Sequence, residues 1–145
     1  MMRVEKPKQT CWSAELFERA VEFHGHGGPF MVVGLRMGLT ALRKLGARGW
    51  FDIRCRVTLI WRPPDSCVID GIQSSTGCTM GKRNIKVLES DGISAEFSKG
   101  ERSVRISLKR EVLEKIRRTP EKERDVSSLI EELVSAGQSD LFEVQ

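Results

Sequence analysis

A chain of 145 residues, 39% hydrophobic and 30% charged, can bury one substantial core and is read as a single domain over residues 1–145. No apolar run reaches the roughly 18 residues of a membrane span. The net charge of +4 arises between Lys99 and Asp125, where ten basic residues stand against six acidic ones in mixed order, unlike the one-sided surface that nucleic acid requires.

Met1 to Thr10 carries Arg3, Glu5, Lys6 and Lys8 with no apolar core. It does not have the form of a secretory signal. A cytoplasmic location is expected, where four cysteines act as thiols or ligands rather than as disulfides. No Cys-x-x-Cys occurs, which excludes an ordinary zinc ribbon. Neither a membrane nor a nucleic acid is an expected partner.

Ser13 suits the N-cap of a helix running to about Phe23, with Leu16, Phe17, Ala20 and Val21 as its apolar stripe. His24-Gly25-His26-Gly27-Gly28-Pro29 breaks it, and Pro29 suits the start of a second helix. That helix is expected over Phe30 to Leu45, closed by Gly46. Gly34 and Gly38 share a face, and each costs about 1 kcal/mol of helix propensity relative to alanine. Close approach of another backbone, within the chain or in a second copy of it, accounts for them.

Ile53, Cys55, Val57, Leu59 and Trp61 alternate with mostly polar residues, a strand with one buried face that makes Cys55 a core thiol. Pro63-Pro64 ends it. Asp65 or Ser66 caps a short helix carrying Cys67, Asp70 and Gly71 on one side. Cys67 in the first turn is expected to have a lowered pKa, from the helix dipole. After Lys82 the pattern becomes a meander of three strands marked by Ile85 and Val87, by Ile93 to Phe97, and by Val104 to Leu108. Asp91-Gly92 and Lys99-Gly100 supply its turns. A helix follows from about Lys109 to Arg118. Pro120 interrupts, and Asp125 caps a last helix that Gly137 ends. The tail Leu141 to Val144 is apolar enough to dock, for instance on a second copy of the chain. The expectation is an α+β domain with N-terminal helices, an antiparallel sheet with a meander, and C-terminal helices.

Chemistry concentrates in two places. His24 and His26 are the only histidines. Two apart on a regular helix they would diverge by about 200°, so they meet one ion only if the helix has ended, as the glycines allow. The second place is Asp70 to Lys82, which gathers a carboxylate, an amide, hydroxyls, a thiol and an amine. Cys67 and Cys78 are plausible thiolate partners for the imidazoles, a donor set suited to zinc. Asp70 can orient a ligand or accept a proton, and Lys82 can anchor an anion. For Cys78 the alternative is a helix C-cap followed by a turn, with the thiol as a small buried hydrophobe. Gly77 to Lys82 is not a phosphate-binding P-loop, since the spacing and the Gly-Lys-Ser/Thr ending are missing. No Ser/His/Asp triad is assignable, and Trp12, Trp50 and Trp61 read as packing residues.

Phe23-His24-Gly25-His26-Gly27-Gly28-Pro29 with Gly34-Leu35-Arg36-Met37-Gly38, and Cys67-Val68-Ile69-Asp70-Gly71-Ile72-Gln73 running through Thr76-Gly77-Cys78-Thr79-Met80-Gly81-Lys82-Arg83-Asn84, resemble the two motifs of the formylmethanofuran dehydrogenase FmdE family. The resemblance covers about Leu16 to Leu108. It implies an α+β core, usually dimeric, with a pocket where the histidine motif meets the cysteine loop, often associated with zinc. Two departures stand out. Gly28 occupies the position where the family normally has cysteine, and the C-terminal cysteine-rich zinc finger of many members has no counterpart after Cys78.

The expected function is a metal- or thiol-assisted enzyme, or an accessory subunit, of one-carbon or related redox metabolism. His24, His26, Cys67 and Cys78 are the candidate metal ligands, with a divalent transition metal such as zinc. Cys78, Asp70 and Lys82 are the candidate catalytic residues, and Gln73 and Thr79 the candidate cofactor contacts. A small anionic ligand, a second copy of the chain and a larger redox complex are the expected partners. The alternative is a non-catalytic interaction subunit with a degenerate metal site.

Overall fold

The computed structural model describes residues 2–145; Met1, at the start of the charged N-terminal stretch, lies outside the described residues. Helices α1 (Ala14–His24) and α2 (Pro29–Leu45) come first, then β1 (Arg54–Leu59), α3 (Cys67–Thr76), β2 (Ile85–Glu89), β3 (Ser94–Lys99) and β4 (Arg102–Leu108). The chain closes with α4 (Arg110–Arg118), α5 (Glu123–Ser135), the short α6 (Gln138–Leu141) and β5 (Phe142–Val144). The fold is α+β, as expected.

The centre of the domain is α2. Thirteen of its seventeen residues are buried, so it is apolar on nearly every side and requires neighbours all round. One side meets the sheet, where Cys55, Val57, Leu59, Ala95, Phe97, Val104 and Ile106 join its residues in one core. Another meets α3 at a glycine contact. A Cβ on Gly34 would lie 2.1 Å from the Val68 carbonyl oxygen, and one on Gly71 would lie 2.1 Å from the Met31 carbonyl oxygen. The close approach read from Gly34 and Gly38 is therefore made inside the chain. On a third side the Arg36 guanidinium donates to the Leu133 and Val134 carbonyls at 2.7 and 3.0 Å, tying the end of α5 to α2.

The sheet order is β2-β1-β3-β4-β5. The expected three-strand meander is not formed: β3 and β4 are an antiparallel pair, but β2 runs parallel to β1 and does not neighbour β3, so the sheet is mixed rather than antiparallel. The reason is α3. A parallel pair needs a crossover connection, and the helix between β1 and β2 supplies one while carrying Cys67 and Asp70 to the end of the sheet. The tail docks within its own chain: β5 pairs with β4 through Leu108 and Phe142, and Phe142 is buried. Asp125 lies in the first turn of α5 rather than capping it, and Gly137 caps α6.

Candidate metal centre

Three local features bring the chemical groups together. Ser13 caps α1 by accepting from the Leu16 amide at 3.0 Å, and α1 stops at Gly25, whose φ of 105° lies in the left-handed region. The chain then passes through His26 and Gly27 before α2 begins at Pro29. The break folds the two imidazoles toward each other, with ring centroids 4.7 Å apart. Opposite them, Cys67 is the first residue of α3 and Asp70 lies on the next turn of the same face.

One donor atom each from His24, His26 and Cys67 lies within 4.8 Å of the others. His24 Nδ1 is 2.5 Å from Asp70 Oδ2. A carboxylate only accepts, so Nδ1 carries a proton, and Nε2 is the ring nitrogen left to act as a ligand when the imidazole is neutral. That Nε2 is buried and has no hydrogen-bond partner among the described residues. Gln73 Nε2 donates to the other oxygen of Asp70 at 3.3 Å. Gln73 thus supports Asp70, which orients His24.

A divalent metal of zinc type fits this set. An orphaned buried nitrogen, a neighbouring imidazole and a thiol are donors that such ions accept, and the carboxylate behind His24 is the usual outer partner of a ligating histidine. Gly28 leaves the protein with three donors. A Cβ there would lie 2.9 Å from His26 Cε1, so the His26 ring already stands where a side chain at 28 would point.

The expectation for Cys67 is corrected. Burial first, then the nearby Asp70 and Asp65 carboxylates, push its thiol up rather than down. The α3 terminus provides no side-chain cap and does not outweigh two negative charges.

Cys78 is not brought to this group. Its sulfur is fully buried and faces the Ile53 carbonyl at 3.6 Å. Burial raises its pKa, and that of Cys55 is raised further, by burial and then by Cys78. The surrounding loop turns the thiol inward. Gly77 has φ 73° against the Trp50 ring, Thr76 Oγ1 accepts from the Cys78 amide at 3.1 Å, and Asn84 fastens the far side. Asn84 accepts from the Thr79 amide at 2.8 Å and donates to the Trp50 and Ile53 carbonyls at 2.6 and 3.3 Å. Lys82 donates to Thr79 Oγ1 at 2.9 Å within the same loop. The Cys78 loop is thus a fastening between α3, β1 and β2, and the reading of Cys78 as a small buried hydrophobe is the one the geometry matches. Sequence reasoning missed the fastening role of Asn84, because an asparagine just before a strand carries no distinctive spacing.

Two depressions flank the centre. One, about 500 Å³, includes His26, Cys67, Phe30, Arg117 and Leu129. The other, about 360 Å³, includes His24, Cys67, Asp70, Trp61 and Met80.

Comparison with known proteins bears on this arrangement. The family model described as "FmdE, Molybdenum formylmethanofuran dehydrogenase operon" matches residues 23–143, a span that contains both histidines, Cys67 and Asp70. A protein of Archaeoglobus fulgidus named "Probable S-adenosyl-L-methionine-binding protein" is 39% identical over 77 residues, which are 51% of this chain and 20% of that protein. This chain spans only a fifth of that relative's length. Among solved structures, a tungsten formylmethanofuran dehydrogenase FmdE-like protein from Syntrophus aciditrophicus superposes with a TM-score of 0.66 and 21% identity, over 99% of this chain and 76% of that one. At that identity the likeness is one of fold.

Proposed function

The chain belongs to the FmdE family, and on that premise we propose that it binds one divalent transition metal, zinc in the first instance, through His24, His26 and Cys67 and acts as a metal-assisted enzyme, or as part of one, in one-carbon or related redox metabolism. The observation that carries the reading is His24, with one nitrogen on Asp70 and the other buried without a partner beside His26 and Cys67. A purely structural histidine would have that second nitrogen satisfied.

Three protein donors in place of four are the pattern of a reactive rather than a closed structural site. A metal held there would supply Lewis acidity or an activated water. The residues of the chain have separate tasks. Asp70 holds the His24 proton at Nδ1 and keeps Nε2 a ligand. Gln73 holds Asp70. Cys67 would hold the ion as a thiolate, its proton released to solvent. The burial that disfavours the bare thiolate makes that exchange dependent on the metal's charge.

Cobalt(II) added to purified protein tests this. Binding should produce a sulfur-to-metal charge-transfer band that Cys67→Ser abolishes and Cys78→Ser leaves in place. A band that survives Cys67→Ser contradicts the assignment.

Trp61 and Met80, both exposed, stand beside the centre on the Val87 side. This is the face we assign to the second copy of the chain expected of the family. Sedimentation of wild type as a dimer and of Trp61→Glu as a monomer supports it; a monomeric wild type at micromolar concentration refutes it.

A further inference from the structure

The larger depression has properties that the metal reading does not use. It forms where the α1–α2 break, the start of α3 and the α4–α5 corner meet. Pro120 creates that corner. The residue before a proline is driven out of helical conformation, so α4 stops at Arg118, Thr119 is extended with ψ 126°, and α5 begins only at Glu123. Thr119 and Glu121 stay at the cavity's edge, and Gly27 and Gly28 bring backbone without side chains to the opposite edge. The volume of about 500 Å³ is that of a small-molecule site. Phe30, Ile116, Val126 and Leu129 give it an apolar wall, and His26 and Cys67 stand at one end.

The charges indicate what it admits. Arg117 is the one cationic side chain among the lining residues, and it is already engaged. It donates to the buried Asp65 carboxylate at 2.8 Å and lies 3.8 Å from Asp91. Glu121 adds a further negative group at the edge. Along this wall no free side-chain cation is left for an anionic body, so a charged or polar group of a ligand belongs at the His26 and Cys67 end.

We propose that this cavity is the organic-substrate pocket of the centre and that it takes a largely apolar molecule, its polar end at His26 and Cys67 and its body against Phe30, Ile116, Val126 and Leu129. The proposal rests on the reading of His24, His26 and Cys67 as a reactive centre.

The test is a titration of the purified full chain with 1-naphthol and, separately, with glycerol, which carries hydroxyls but no apolar body, followed through methyl resonances. With 1-naphthol the Ile116, Val126 and Leu129 methyls should shift together and saturate. Glycerol should need at least about tenfold higher concentration, since it gives Phe30, Ile116, Val126 and Leu129 no apolar body to bury. Val126→Trp, which fills the cavity from a half-buried position, should abolish the shifts at Ile116 and Leu129; Thr119→Trp does the same from the cavity's edge should Val126→Trp not fold. Equal binding of the two probes, shifts elsewhere, or shifts that persist in a folded filled variant overturn the proposal. Metal content of the same wild-type sample separates the two readings: a metal-free protein that binds naphthol as described contradicts the proposed function and leaves the pocket, whereas a metal-bearing protein without discrimination contradicts the pocket alone.

Discussion

In the proposed centre His24 is the residue on which the chemistry turns, and its orientation depends on Asp70. Replacing Asp70 by asparagine keeps the shape but offers an amide in place of a charged acceptor. Metal affinity, measured by competition with a chromogenic chelator, should fall by about 10- to 100-fold while the fold persists; an unchanged affinity contradicts the role given to Asp70. Cys67 yields a second prediction. Its pKa is raised by burial and by Asp70 and Asp65, so at a given pH less thiolate is present than on a free cysteine. Iodoacetamide labelling of Cys67 after chelator treatment should reach half its maximal rate above the ordinary thiol range, and Asp70→Asn should move that midpoint down. A midpoint in or below the ordinary range contradicts it. Both histidines were legible as a candidate pair because three glycines beside them permitted convergence. Which thiol faces them was not. Cys67 is placed by being the first residue of a helix, whereas the direction of Cys78 is decided by Trp50 and Asn84, neither of which announces a contact with it.

At the scale of elements, the seam between α2 and α3 holds Cys67 and Asp70 against the α1–α2 break. Two glycines face each other across it, with Gly34 Cα and the Cβ position of Gly71 only 2.8 Å apart. Gly34→Ala puts a methyl into the Val68 carbonyl, a backbone group that cannot turn aside. The variant should lose about 1–3 kcal/mol in urea unfolding despite its better helix propensity. Gly38→Ala meets the Ser75 hydroxyl, which can rotate, and should lose less. Equal or negligible losses contradict the account. The tight seam was visible in the sequence because glycines four apart in a buried helix have few other uses. The pairing of β2 with β1 was not visible. Period-two alternation shows which face of a strand is buried, not which neighbour it takes, and a turn at Asp91-Gly92 is compatible with either arrangement.

For the molecule as a whole, the helices and strands that enclose the core also bury thiols that stand apart from the His24, His26 and Cys67 group. Cys55 and Cys78 both have raised pKa values, from burial first. A raised thiol pKa in the folded state adds stability below the ordinary thiol range that is lost as pH rises toward the raised values, because the unfolded chain ionises first. Tm should therefore fall between about pH 8 and pH 10, and Cys55→Ala should flatten that fall; a Tm unchanged or rising over this interval contradicts the burial of these thiols. Closure of the sheet by β5 has the same global character. The apolar tail was legible as a docking segment, but its partner, β4, lies beyond three intervening helices, a separation over which periodicity carries no information.

The most direct test of the central claim is elemental analysis of purified wild type beside single variants. Wild type should carry about one equivalent of a divalent transition metal, His24→Ala and Cys67→Ser should carry none, and Cys78→Ser should keep it. A wild type without metal, or a metal retained by His24→Ala and lost by Cys78→Ser, contradicts the centre described above.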